Sequence, residues 1–391
     1  MADIQLFDDT ETAFALKSDS ELERAYFLFK MIANEPLVRI GTAMTNFAIK
    51  AHLPVEGLIR ASVFDHFCGG VNEEDCLPVV DKMYEKGGVC SVLDYSVEGK
   101  ETANQFDDAL ETILKIIDFA DAKDAIPFGV FKPTGFGRFA LWEKKSAGKE
   151  LTRDEQAEWE RIVKRFDTVC KKAYECDVVL LIDGEESWMQ DAADDLVLDM
   201  MRKYNKKRAI VHNTLQLYRH DRLEYLKKIE KIAIDEGFYI GVKIVRGAYL
   251  EKENERAEEH GYSTPICASK KATDTNFDTT LRYCLEHLDR ITVFIGTHNE
   301  ASTYLALQLM NEMRIIRKDH RVWFGQLYGM SDHISFNLAK EGYNVAKYLP
   351  FGPVRDVMPY LIRRAEENTS VAGQTSRELK LLKQEKKRRK L

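Results

Sequence analysis

From about Gly87 to Gly352 the chain repeats one texture eight times, a short β-branched or apolar run followed by a longer amphipathic stretch. The runs are GVCSVLDYSV, IPFGVFKP, VVLLIDGEE, AIVHNTLQLY, GVKIVRGAY, ITVFIGTHN, VWFGQLYGM and NVAKYLPFG. Runs that stay apolar rather than alternating belong to strands buried on both faces, and strands separated by helical patterns pair in parallel. Eight such units is the number that closes a (β/α)8 TIM-like barrel, an α/β fold. The alternation is also compatible with an open doubly wound sheet.

Upstream of the first run the pattern is helical. Leu22, Tyr26, Phe27, Phe29, Met31 and Ile32, then Val38, Ile40, Met44, Phe47 and Ile49, recur at helical spacing. The expected organisation is an N-terminal helical region over 1–86, a catalytic barrel over 87–370 and a basic C-terminal tail over 371–391. A barrel often exceeds about 250 residues as one unit, so a chain of 391 needs no second domain. The segment 141–175 is long for one barrel unit and highly charged, and reads as an exposed loop running into a surface helix.

Composition narrows the class. With 45% hydrophobic and 31% charged residues the chain can build a large core and is unlike a disordered or collagenous sequence. No apolar run approaches the roughly 20 residues of a membrane span, and the acidic start is unlike a leader. Seven cysteines without a CxxC pair favour reduced thiols and a cytoplasmic location over a disulfide framework, and no metal site is expected. The net charge of −7 hides an asymmetry, because RELKLLKQEKKRRKL carries eight Lys or Arg against two Glu.

In a closed barrel the active site gathers at the C-terminal ends of the strands. Polar or aromatic residues at those ends are Asp94, Glu98, Lys132, Asp183, Gln216, Arg246, Tyr249, His298, Asn299, Gln326 and Tyr348. Any one of them alone could be a satisfied rim hydrogen bond. The densest signal is YLPFGPVRDVMPYLIRRAEEN, Tyr348 to Asn368, where Asp356 can cap a helix and Tyr360, Arg363, Arg364 and Glu367 recur at helical spacing. Adjacent arginines can fork onto one carboxylate; a surface ion-pair helix would carry the same letters.

That block resembles the C-terminal signature of the proline dehydrogenase family, FAD-dependent flavoenzymes. LLIDGEE resembles the family's third-strand motif, NTLQLY its fourth, KIVRGAYLEKE its fifth, GTHN its sixth and FGQLYGM its seventh. The resemblance runs from about Gly87 to Asn368, and the helical N-terminal text is similar to monofunctional members.

The resemblance implies that Arg363 and Arg364 bind the carboxylate of L-proline, with Lys132 close to it, while Asp183 and Glu367 hold these cations in place. Tyr249, Leu327, Tyr348 and Tyr360 would wall in the pyrrolidine ring, and Glu98 would pair with the first arginine and close the site. FAD would be contacted by Gln216, Lys243, Val245, Arg246, Gly247, Ala248, Thr297, His298, Asn299 and Gln326, with Glu367 near both sets. Other branches carry arginine in place of Lys243 and lysine in place of Arg246, which preserves the total charge. The absence of GxGxxG after a strand weighs against a Rossmann nucleotide domain, not against FAD in a barrel.

The implied activity is oxidation of L-proline to 1-pyrroline-5-carboxylate by hydride transfer to FAD, with electrons passed to a membrane quinone. A hydroxyproline dehydrogenase is the nearest rival, and Tyr348 would crowd a 4-hydroxyl. A methylenetetrahydrofolate reductase barrel has no evident need for tandem arginines. Large family members add DNA-binding and aldehyde dehydrogenase modules, for which 391 residues leave no room, so nucleic acid is not an expected partner. The tail from Arg377 to Leu391 suggests peripheral docking at the inner face of the membrane, Leu379, Leu381 and Leu382 adding an apolar anchor.

Overall fold

In the computed structural model the eight apolar runs are strands: β1 (Cys90–Tyr95), β2 (Phe128–Phe131), β3 (Val179–Ile182), β4 (Val211–Gln216), β5 (Ile240–Val245), β6 (Ile291–Gly296), β7 (Val322–Leu327) and β8 (Val345–Phe351). The structure describes residues 5–34, 36, 57, 60–96, 99–370 and 374–391. The strands follow sequence order and close into a barrel, β8 lying parallel to β1 with Cys90 opposite Ala346 and Tyr95 opposite Phe351. The closed barrel rules out the open doubly wound sheet. Every residue of β2, β4 and β8 is buried, because one face of each strand meets helices and the other the barrel interior.

Before β1 stand α1 (Thr10–Phe14), α2 (Asp19–Ile32) and α3 (Glu73–Gly87). The strands are then followed by α4 (Ala103–Ala122), α5 (Phe139–Ser146), α6 (Arg153–Glu175), α7 (Ser187–Tyr204), α8 (Arg222–Glu236), α9 (Leu250–His260), α10 (Lys270–Glu286), α11 (Glu300–Glu312), α12 (Asp332–Lys340), α13 (Met358–Ser370) and α14 (Gln374–Arg389). Starts are written locally: Ser18 with Glu21, Thr102 with Gln105 and Thr152 with Glu155 form capping boxes on α2, α4 and α6. Asp356 lies in the turn two residues before α13 begins. Among the described residues no helix is long and apolar enough to cross a membrane. All seven cysteines are free thiols.

The charged stretch 141–175 differs from expectation. It is largely helical, α5 and then α6, and it is not merely a solvated surface. Trp142, Ile162, Phe166, Val169 and Cys170 are fully buried, and Phe166 meets the Phe131 ring at the end of β2 with centroids 4.9 Å apart. On α6 the buried Ile162, Phe166, Val169 and Cys170 occupy one stripe while the other faces carry the charge, so overall composition concealed an amphipathic packing helix.

The chain divides into two compact units, residues 99–325 and residues 1–98 with 326–391. Within the latter, α2 buries Leu22, Ala25, Leu28, Phe29 and Ile32, whereas Phe27 and Met31, counted among the apolar residues at helical spacing, are exposed. The expected helix around Val38 to Ile49 lies outside the described residues.

The C-terminal segment corrects another expectation. It is the helix α14, and Leu381 and Leu382 are buried against Ala13, Phe14, Leu22, Ala25 and Phe29, with Leu379 packed partly beside them. Arg377 pairs with Asp8 at 2.7 Å, Lys386 with Glu23 at 2.7 Å and Arg389 with Asp19 at 3.1 Å. Leu381 and Leu382 are core and cannot serve as a lipid anchor, because an apolar stripe covered by α1 and α2 has no surface left to give a membrane.

Candidate active site

In the unit 99–325 the ends of β2 to β6 carry several charged groups, each with its own partners. Lys243, buried on β5, pairs its ammonium with the carboxylate of Asp183, which directly follows β3. From the sequence Asp183 stands among the arginines and Lys243 at the cofactor; in the folded chain each is the other's partner. Gln216 ends β4, buried, and a Cβ on Gly184 would approach its amide to 3.0 Å.

Arg246, the residue after β5, is held at three points. Its Nε donates to Asp274 at 2.8 Å, Nη1 to Thr297 Oγ1 at 2.9 Å and Nη2 to Ser302 Oγ at 3.0 Å, while the guanidinium lies 4.4 Å from the Phe277 ring centre. Ser302 Oγ in turn donates to Asp278 at 2.6 Å. Three contacts from α10 and α11 thus fix one cation, with Asp278 behind Ser302, and none of Asp274, Phe277, Asp278 and Ser302 was singled out from the sequence. Helical positions far along the chain give no local signal that they converge on a strand end.

Beyond Arg246 the backbone is bare. Gly247 has φ +125°, a region disfavoured for residues with a side chain, and a Cβ there would also stand 2.5 Å from the Tyr218 ring. Gly247 and Ala248 are exposed, Val245 and Tyr249 half-buried, and Tyr249 occupies the N-cap position of α9. After β6, Thr297 is buried and its hydroxyl accepts from the Asn299 N–H at 3.1 Å. Asn299 caps α11 through its side-chain oxygen, which accepts from the Ser302 N–H, also at 3.1 Å. His298 between them is half-buried.

Lys132 follows β2 and is half-buried. Two residues on, Thr134 donates its N–H and hydroxyl to the buried carboxylate of Glu185 at 2.9 and 2.6 Å. Burial pushes the Glu185 carboxyl up to about 7, against the Thr134 bonds and the Lys132 charge that favour ionisation. Because this lies above the ordinary value of 4.5, the folded chain holds a proton there that the unfolded chain has released, and stability falls as pH rises between the two values. Glu185→Gln is therefore expected to flatten the fall in thermal midpoint between about pH 5 and pH 8. Parallel curves for the two proteins would remove Glu185 as the titrating group.

In the other unit Gln326 and Leu327 end β7, Tyr348 lies on β8, and α13 carries Tyr360, Arg363 and Arg364. Tyr348 and Tyr360 are buried, as is Arg364, whose guanidinium lies 5.3 Å from the Tyr360 ring centre; Arg363 is half-buried. Val357, Met358, Tyr360 and Leu361 pack with Leu28, Ile32, Phe64 and Phe67, and Leu327 borders that cluster. The helix is thereby seated by its apolar side. Gln326 accepts from Ser335 Oγ at 2.8 Å, which orients its amide. Glu98 lies outside the described residues, and so does the side chain of Glu367.

A family model described as proline dehydrogenase matches residues 77–377. The chain is 37% identical over 363 residues to the carbapenem antibiotics biosynthesis protein CarD of Pectobacterium carotovorum, covering 92% of this chain and 94% of that one. It is 30% identical over 427 aligned residues to the mitochondrial proline dehydrogenase 1 of Arabidopsis thaliana, covering 97% and 86%. With the human mitochondrial proline dehydrogenase 1 it shares 42% over 235 residues, 59% of this chain and 39% of that one. Among solved structures, proline utilization A from Bdellovibrio bacteriovorus, inactivated by N-propargylglycine, superposes with a TM-score of 0.70 at 20% identity. That likeness covers 92% of this chain and 38% of the other, and it shows the shared fold. Fold, ordered strand-end motifs and sequence relatives agree: the chain belongs to the proline dehydrogenase family.

Proposed function

We propose that this protein oxidises L-proline to 1-pyrroline-5-carboxylate, with FAD as a non-covalent cofactor and a membrane quinone as electron acceptor, opening proline catabolism to glutamate. The observation that carries this reading is the element after β8. Two adjacent guanidinium groups, Arg363 and Arg364, share a helix with the buried Tyr360 ring and follow the buried Tyr348. A small apolar ring with one carboxylate needs these two things, a cationic fork and aromatic walls. In this reading Lys132 adds charge beside the carboxylate, and Tyr249 and Leu327 complete the wall around the ring. The catalytic unit is the barrel over 87–370, with 1–86 and 371–391 as its helical flanks.

The residues at the ends of β4 to β6 fit FAD. Arg246 is fixed by Asp274, Thr297 and Ser302, Lys243 is buried with Asp183, and the bare backbone at Gly247 and Ala248 admits close approach. Gln216, Lys243, Val245, Arg246, Gly247, Ala248, Thr297, His298, Asn299, Gln326 and Glu367 would hold it. When bound, FAD supplies the two-electron acceptor, which no amino-acid side chain provides. The protein's part is to clamp the carboxylate, present one ring face and keep water out. Tyr348 favours the unsubstituted ring over 4-hydroxyproline, since a phenol at that place crowds the added hydroxyl.

The purified protein is expected to be yellow, to release its colour on acid precipitation and to lose its flavin bands when proline is added under argon. A colourless protein, or flavin bands indifferent to proline, would overturn the reading.

For a quinone dissolved in lipid, contact at the cytoplasmic face of the membrane would be peripheral. Lys380, Lys383 and Lys387 are exposed at three- and four-residue spacing on α14, so they share an outward face. Each is worth about 1 kcal/mol near an anionic surface. Replacing all three by Glu should reduce sedimentation with anionic vesicles while leaving turnover with a soluble dye unchanged. Equal sedimentation would mean that another surface docks.

A further inference from the structure

A lysine in the middle of a barrel strand is costly unless its charge is matched. Lys347 on β8 is fully buried, and its ammonium donates to the Met330 carbonyl at 2.7 Å and the Leu327 carbonyl at 3.3 Å and pairs with Asp332 at 2.8 Å. Asp332, at the start of α12, is also paired with Lys17 at 3.0 Å. Burial opposes its charge, but the flanking Lys17 and Lys347 more than offset this and hold its carboxyl well below the usual range. Lys17 comes from the short link between α1 and α2, and the C-terminal helix holds that link. Arg389 donates to the Lys17 carbonyl and to the Phe14 carbonyl, each at 2.8 Å.

The loop these groups grip is the one that leaves β7. It needs gripping, because Ser331 has a left-handed backbone, φ +51°, which is costly for a residue with a side chain, whereas Gly329 takes φ +76° without that cost. His66 adds a contact from its ring to the Gly329 carbonyl at 2.9 Å, and the Tyr328 N–H donates to the Tyr348 carbonyl at 2.8 Å.

We propose that Lys17, Asp332 and Lys347 are a positioning relay, through which the α1–α2 link, held by Arg389 of α14, sets the backbone from Leu327 to Met330 and so tunes capture of the substrate. The relay rests on the reading that Leu327 walls the proline ring. None of its members is a catalytic residue; each acts through the loop.

The test uses the full-length flavoprotein and the variants Lys17→Met, Lys17→Arg, Asp332→Asn and the double variant Lys17→Met with Asp332→Asn. Lys17→Met should lower kcat/KM for proline, mostly through a raised KM, by up to about a hundredfold if the loop moves by an ångström. It should retain flavin and change kcat less, and Lys17→Arg should restore most of the loss. The double variant should be no worse than Asp332→Asn alone. Hydrogen exchange of the amides from Leu327 to Ser331 should quicken in Lys17→Met and in Asp332→Asn, a readout that needs no turnover. A lowered thermal midpoint with unchanged KM and unchanged loop exchange would reduce the cluster to a structural brace and overturn the relay. A wild-type protein that ignores proline would instead overturn the proposed activity, while loop exchange would still decide whether the relay exists.

Discussion

Deleting residues 374–391 is expected to destabilise the α1–α2 region severely, not to trim an inert tail. The deletion uncovers Phe14, Leu22 and Phe29, which pack with Leu381 and Leu382, and removes Arg389 from the carbonyls of Phe14, at the end of α1, and of Lys17, in the link that follows. A gentler version isolates the apolar part. Leu381 and Leu382 are essentially unexposed, so Leu381→Ala or Leu382→Ala should each cost about 2–5 kcal/mol, the range for a buried leucine truncated to alanine. Glu385, also unexposed, ties the end of the same helix together through Arg388 at 2.8 Å and Arg389 at 2.7 Å. Urea unfolding followed by circular dichroism measures the loss. Full-length stability in the truncated chain would show that the contacts of α14 contribute nothing net.

The second large effect concerns the arginines of α13. Each charge-assisted bond to a carboxylate is worth about 1.5–3 kcal/mol, so replacing Arg363 or Arg364 with methionine should lower kcat/KM for proline roughly ten- to a hundredfold. The two should differ in a second respect. Arg363 is half-buried, and its variant should keep its flavin and its fold. Arg364 is buried near the Tyr360 ring, and its variant should lose thermal stability as well, because removing it disturbs packing around Tyr360. Unchanged kcat/KM in both variants would take the substrate role away from this helix.

These two expectations sit on opposite sides of what could be read from the chain alone. The arginine pair was legible as a pair because its signal is local: RR lies within one helical turn of Tyr360, just after an apolar strand, while the substrate role proposed for it came from the family resemblance. The role of α14 was not. LKLLKQEKKRRKL shows that a helix would have an apolar stripe, but the stripe is the same whether lipid or α2 covers it. The segment 141–175 misled in the same way, its buried Trp142 and Phe166 set among charges that dominate the composition.

The eight strands followed from the sequence itself, because an uninterrupted apolar run is satisfied by burial on both faces and eight parallel units can close, while the strand order and the choice of a closed barrel over an open doubly wound sheet were decided by the tertiary structure. The expected strand ends gave Lys132, Asp183, Gln216, Arg246 and Gln326 as candidates, and these lie at strand ends, whereas Tyr348, expected at one too, sits in the middle of β8. Which charge meets which was decided by tertiary structure. Asp183 and Lys243 are 60 residues apart, and Lys17 reaches Asp332 from the opposite end of the chain. Ion pairs carry no periodicity, and a buried lysine such as Lys347 is tolerable only where the fold delivers its counter-charge, which no local pattern encodes.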